Sequence, residues 1–322
     1  MKEKTTAQPS VGWKEKLRGS AVAKVYLTTV LLYVVTCILQ PNYFSGKYIS
    51  DTLVTASFLG VLAIGQTLVI LTGGIDLSII VTFNLAAVIT TSMQNDNQLL
   101  LIAVLLGVSI LIGLINGLGV VFLDVPPIVM TLAMQSIFLS VVYLYTNGLA
   151  NGAAPDWLRF LSTESVFGVR LILILWVVIA VGITFALTKT NFGRKLYALG
   201  NSRSVAYYSG VNNSAVLILV YILSAVFASL GGLLFTGYLG YAYIGMGTPY
   251  LMPSIAAVVI GGTSILGGKG NYAGTVAGAI ILYILNGLLV NLDMQEGGRN
   301  IIYGVIILAV LFLYGQIGRA HV

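Results

Sequence analysis

From Ser204 to Gly268 this chain runs without one charged residue. No soluble fold hides so long a stretch, and one helix cannot hold it either: about 20 residues rising 1.5 Å each already cross the roughly 30 Å of a bilayer's hydrocarbon core. Gly245, Gly247 and Pro249 mark a break between two crossings. Other uncharged runs of about twenty residues recur along the chain, whereas a membrane barrel would alternate in segments of about ten. Lipid offers no partner to a free backbone N–H or C=O, so runs of this length must be helices. With 58% of its 322 residues hydrophobic and 8% charged, against about a quarter charged in soluble domains, the chain is expected to be all-α: a polytopic membrane helical bundle.

Ten spans fit the gaps between charges: 24–40, 51–71, 77–93, 99–122, 126–145, 169–188, 214–240, 250–266, 270–290 and 299–315. Five precede and five follow a long external loop, which predicts two halves of opposite orientation, an arrangement transporters use with the path at the interface. Thr72-Gly73-Gly74 near the third span faintly echoes Gly261-Gly262-Thr263 near the eighth. Residues 1–23 form a basic tail, and Lys2, Lys4, Lys14, Lys16, Arg18 and Lys24 ahead of the first span place the N-terminus in the cytoplasm. Trp13 and Leu17 share a helical face that suits the lipid surface. The net charge of +6 is this orientation signal, not a nucleic-acid footprint. Residues 24–316 make the transmembrane domain, and 317–322, with the only histidine, His321, read as a non-native tail. The single cysteine, Cys37, excludes a disulfide within one chain and reads as a core residue.

Between the sixth and seventh spans lies a polar island, residues 189–213. It holds Lys189, Arg194, Lys195 and Arg203 and no acid. A loop this basic belongs on the cytoplasmic face. Leu196, Leu199, Ala206 and Tyr207 are spaced to line one side of a short helix outside the bilayer, and the loop is expected to receive force from a partner protein.

Inside the spans the informative residues are polar. Asp76, in TGGIDLS, would cost about 2.5–3.5 kcal/mol at mid-bilayer; at a helix start it can accept from the first amides. Either it caps the third span or it is a gate residue on the path. Gln66, Asn84, Asn116, Gln135 and Asn286 must face protein or water. As interhelical hydrogen bonds they hold the bundle; as lining of a translocation path they suit a neutral hydroxylated solute. Gly270, Gly274 and Gly278 form a small-residue ridge for close helix packing, as do Gly113 and Gly117. GGTSILGGKG imitates a P-loop, but Thr263 stands where the first glycine belongs and Gly270 follows Lys269. It reads instead as a tight inner turn, with Lys269 at the lipid headgroups. No metal-ligand cluster and no catalytic constellation is present in the sequence, so no metal and no bound cofactor are expected.

Three blocks, GQTLVILTGGIDLS (Gly65–Ser78), TNFGRKLYALGNSRSVAYYSGV (Thr190–Val211) and IAAVVIGGTSILGGKG (Ile255–Gly270), together resemble the permease subunit of the ribose-type sugar ABC importers. The similarity runs from about Asn42 to Tyr314, and YTNG at Tyr145–Gly148 fits it too. The resemblance implies a multi-pass protein of the bacterial cytoplasmic (inner) membrane. Its implied partners are a cytoplasmic ABC ATPase that uses the ATP, a periplasmic or lipid-anchored sugar-binding protein, and a second permease copy or similar chain. It also implies that Gly193, Arg194, Tyr197, Ala198, Gly200, Asn201, Ala206, Ser209 and Gly210 belong to the region that couples to the ATPase. The chain departs from the pattern in having Asn201 directly after Gly200 and Ile79-Ile80-Val81 after IDLS. Relatives carry ribose, xylose, galactose, autoinducer sugar derivatives and nucleosides. The rival expectation is a gradient-driven secondary carrier or channel for a small polar solute; a membrane scaffold without a path is a third.

Overall fold

The computed structural model describes residues 21–319; the tail that carries Trp13 and Leu17, and His321 at the far end, lie outside them. Each expected crossing is a helix: α1 (Ala21–Leu39), α2 (Gly46–Leu71), α3 (Ile79–Ser92), α4 (Gln98–Phe122) and α5 (Pro127–Thr146) in the first half. The long external loop folds into α6 (Asp156–Thr163) and a hairpin of β1 (Ser165–Val166) and β2 (Val169–Arg170). Phe167 and Gly168 turn it with positive φ at both positions, the twist that a two-residue hairpin needs. Then come α7 (Leu171–Lys189), two short helices α8 (Asn191–Asn201) and α9 (Arg203–Tyr208), and α10 (Asn213–Leu239), α11 (Leu251–Ile260), α12 (Tyr272–Asn291) and α13 (Glu296–Arg319). Among the described residues seven helices are long and apolar enough to cross a membrane. The third and eighth crossings, α3 and α11, are shorter apolar helices.

Helix α2 is the axis of the bundle. Of its most apolar window 89% is buried, against 6% for α1 at the periphery. Helix α10 lies along α4, α2 and α3, while α12 lies along α11, α2 and α1. Small residues permit these approaches. A Cβ at Gly113 would stand 2.4 Å from the Ile222 backbone, and one at Gly274 1.9 Å from the Gly261 carbonyl oxygen, so the helices meet backbone to backbone. Gly270 is not part of this ridge: it sits in the turn before α12, at φ 147°.

The eighth span was expected over 250–266, but its helix stops at Ile260. Gly262, Gly267 and Gly268 adopt positive φ, a region that ends a helix and that glycine enters without steric cost. The released chain folds into a compact turn in which the Ser264 N–H donates to the Lys269 carbonyl at 2.8 Å, with Lys269 exposed.

The connections sort to two ends. At one, the Gly268 N–H donates to the Leu71 carbonyl at 2.9 Å, the Leu77 N–H to the Thr131 hydroxyl at 3.0 Å and the Tyr197 hydroxyl to the Gly270 carbonyl at 2.7 Å. Lys189, Arg194, Lys195, Arg203 and Lys269 gather there, with Asp124 and the buried Asp76 the acids. At the other end, the Ala154 N–H meets the Gly240 carbonyl at 2.9 Å and Arg170 pairs with Asp51 at 3.1 Å. Asp96, Asp156, Glu164, Asp293 and Glu296 lie on that end.

Candidate coupling surface and path residues

The polar island is two helices rather than one. Thr190 caps α8, donating to the Ala186 carbonyl at 2.6 Å and facing the Gly193 N–H. Ser202 ends it and opens α9 by accepting from the Val205 N–H at 3.3 Å, the usual work of a serine cap. This break re-aims the residues. Leu196, Leu199 and Ala206 are buried as their spacing predicts, but Tyr207 is 68% exposed and does not share their side. Val205 and Tyr208 are exposed with it, beside Arg203.

The inner side of α8 is clamped to the other two sequence blocks. A Cβ at Gly200 would stand 2.0 Å from the Leu71 carbonyl oxygen and 2.6 Å from the Gly268 nitrogen. On either side of that contact, Tyr197 donates to Gly270, and the Asn201 amide donates to the Gly268 carbonyl at 3.3 Å. Burial raises the Tyr197 phenol above its ordinary range, so it stays protonated and a donor. Gly193 holds the opposite end of α8 against α7, since a Cβ there would stand 1.9 Å from the Leu187 oxygen. Ala198 packs partly buried in the same cluster. Gly210 has open space around it but φ 79°; together with Ser209, whose N–H bonds back to the Val205 carbonyl, it terminates α9. Arg194 faces solvent and reaches only Asn191.

The path candidates do not form one site. Asp76 and Asn116 are joined through Ser78: Asp76 Oδ1 accepts from the Ser78 N–H at 2.9 Å and its hydroxyl at 2.6 Å, while the Asn116 amide donates to Ser78 Oγ at 2.8 Å. Asp76 Oδ2 accepts from Ser224 of α10 at 2.7 Å. The carboxylate thus caps the approach to α3 and also ties it to α10. Asn84 Oδ1 accepts from the Gly245 N–H at 3.1 Å, and its amide nitrogen is buried without a partner. Gln66 is wholly buried on α2, with neither amide atom bonded. Gln135, half-buried on α5, leaves its Oε1 unpartnered. Asn286 Oδ1 accepts from the Tyr303 hydroxyl at 3.2 Å, at the wall of a cavity of about 220 Å³. No hydrogen bond links these four to the Asp76 group or to one another.

Ser224 was missed by reading the sequence, because a serine in an apolar helix gives no sign of a partner 148 positions away. Tyr221, one turn before it, is equally silent: its hydroxyl is buried without a partner. Asp76→Ala would leave the Ser78 N–H, the Ser78 hydroxyl and Ser224 without their acceptor. It is expected to destabilise the chain by about 3 kcal/mol, with Asp76→Asn milder because its oxygen keeps the Ser78 bonds. Thermal melting of the two variants in detergent reads this; equal melting for Asp76→Ala and the parent would remove the carboxylate from the structural account.

Residues 48–312, which include all three blocks, match the family described as branched-chain amino acid transport system / permease component. The autoinducer 2 import system permease protein LsrC of Escherichia coli O9:H4 (strain HS) is 34% identical over 295 residues, covering 90% of this chain and 86% of the relative. Its counterpart in Salmonella choleraesuis (strain SC-B67) is 33% identical over 303 residues, covering 94% and 87%. No solved structure matches the chain. Buried apolar helices, a family match over most of the length and relatives aligned nearly end to end agree: the chain belongs to this permease-component family, the sugar ABC importer permeases that its three blocks resemble, and is a multi-pass inner-membrane transport subunit, not an enzyme.

Proposed function

We propose that this chain is the membrane-spanning permease of an ATP-driven importer and passes a monosaccharide, or a sugar-derived signal such as autoinducer-2, delivered by a separate binding protein. The observation that carries the reading is the meeting of α8 with Leu71 and Gly268 at the basic end of the bundle. A push on α8 reaches, through backbone contacts, the segments that lead into α3 and out of α11. These are the two short crossings, third and eighth of ten, where paired halves of a transporter place their path.

Residues 24–316 form the permease domain, 1–23 the tail, and the basic end faces the cytoplasm. The segment 189–213 docks on an ABC ATPase, which binds and uses the ATP; this chain holds no cofactor of its own. Val205, Tyr207 and Tyr208 with Arg203 suit a protein surface, since aromatic and arginine side chains are favoured anchors. A second permease copy completes the pore. Relatives named for autoinducer 2 import favour that signal among the candidate solutes.

Vesicles test this. With this chain, an ABC ATPase and a binding protein encoded beside it, uptake of labelled ribose or autoinducer-2 is expected to need ATP and to fall to background when the ATPase is omitted. Uptake by this chain alone that survives ATP depletion would establish a gradient-driven carrier instead.

A further inference from the structure

The cavity beside Asn286 has no part in the contacts described for α8. It lies at the acidic-loop end of the bundle, partly open and lined by α2, α10, α11, α12, α13 and the 240–250 connection, and holds about 220 Å³. That is below the roughly 300–1,000 Å³ of pockets for drug-sized ligands, a size for one small ring rather than two. Glu296 and Arg299 stand in the first turns of α13 and both line it. Three positions apart on a helix, they are near neighbours, yet they form no ion pair; among the described residues the one ion pair is Arg170 with Asp51. An unpaired carboxylate and an unpaired guanidinium on one cavity offer hydroxyl groups an acceptor and a fork of donors. A solute with net charge of either sign would meet one of them as a like charge. Asn286 spends its oxygen on Tyr303 and keeps its NH₂ as donor. Tyr250, Tyr283 and Tyr303 supply aromatic surface for C–H faces.

A second observation points inward from the same place. Leu59 also lines the cavity. Gln66 is seven residues further along α2, hence on the same helical face and about 10 Å deeper. It is wholly buried with both amide atoms unpartnered, and buried amides are rarely left so without a reason outside the resting structure.

We propose that this cavity is the outer solute site. It takes a neutral polyhydroxylated ring the size of one sugar, held by Arg299, Glu296 and Asn286 against the tyrosines, and passes it to Gln66. The proposal rests on the importer reading above for its place in transport, but not for binding itself.

The test is thiol protection in the assembled importer. On a Cys37→Ser background, Asn300→Cys puts a thiol on the cavity wall, and its modification by a neutral maleimide is timed. Tyr243→Cys, an exposed wall position, serves where Asn300→Cys fails to fold. D-Ribose or autoinducer-2 is expected to slow modification severalfold, with maltose and glucose 6-phosphate without effect. Arg299→Leu should raise the concentration needed by about tenfold or more, and Gln66→Leu should leave protection intact. If neither ribose nor autoinducer-2 protects, or if Arg299→Leu leaves the protecting concentration unchanged, the cavity is not the site. ATP-driven uptake is measured in the same vesicles: uptake without protection sinks the cavity and spares the importer, whereas protection without ATP-driven uptake establishes the cavity and sinks the importer.

Discussion

Gly200→Leu is expected to leave the chain inserted and assembled, and the ATPase turning over, while solute uptake falls about tenfold or more. The reason is a contact with no slack. A Cβ at position 200 would lie 2.0 Å from the Leu71 oxygen and 2.6 Å from the Gly268 nitrogen, both backbone atoms that cannot rotate aside. Helix α8 must therefore lift, and lifting it breaks the Tyr197 bond to Gly270 and the Asn201 bond to Gly268. Each such bond contributes about 0.5–1.5 kcal/mol net, little against folding, but together they are the connection between the basic segment and the ends of α2 and α11. The transmembrane helices bury their faces elsewhere, so insertion should survive. Tyr197→Phe is the gentler companion: it deletes one hydrogen bond without adding volume and should lower uptake per ATP hydrolysed without abolishing it. Reconstituted complexes that report ATPase and uptake together decide the matter. Gly200→Leu with unchanged uptake per ATP would mean that force does not pass through this contact.

The parts of this arrangement were unevenly legible in the sequence. Charge gaps marked a helix at each expected span, because a charged side chain in lipid is costly enough to punctuate the chain. The end of α11 was read too late, since an apolar run hides a helix stop that only the positive φ of Gly262, Gly267 and Gly268 makes visible. The break between α8 and α9 has a local signal, since Ser202 stands three residues before Val205 at a cap spacing; a single unbroken helix puts Tyr207 on one side with Leu196, Leu199 and Ala206. The three blocks were recognisable one by one, but their meeting around Gly200 depends on backbone approaches between residues far apart in the chain. The same holds for Asp76 and Ser224, and for the cavity wall, of which only Asn286 had been read as a path candidate. Polar residues inside apolar helices announce that a partner must exist; they do not say which.

Gln66 and Asn84 turn that ambiguity into opposite expectations for stability. Gln66 keeps two polar atoms buried with no partner, and each such group costs about 1–3 kcal/mol. Leucine fills similar space without that penalty, so Gln66→Leu is expected to raise the melting temperature of the purified chain. Asn84 differs because its oxygen accepts the Gly245 N–H. Asn84→Leu leaves that half-buried donor without its acceptor and should lower the melting temperature by the equivalent of about 1 kcal/mol. If both amides serve the passage of a hydroxylated solute, both variants lose most of their uptake while the complex still assembles. A more stable but inactive Gln66→Leu protein would be hard to explain by packing, since a device that only holds helices together does not become dispensable for folding and indispensable for transport. Proteins retain such locally unfavourable groups where function needs them. Gln66→Leu that melts higher and transports at the parental rate would remove Gln66 from the path, and Gln66→Leu that melts lower would show that the amide does have partners in the folded bundle.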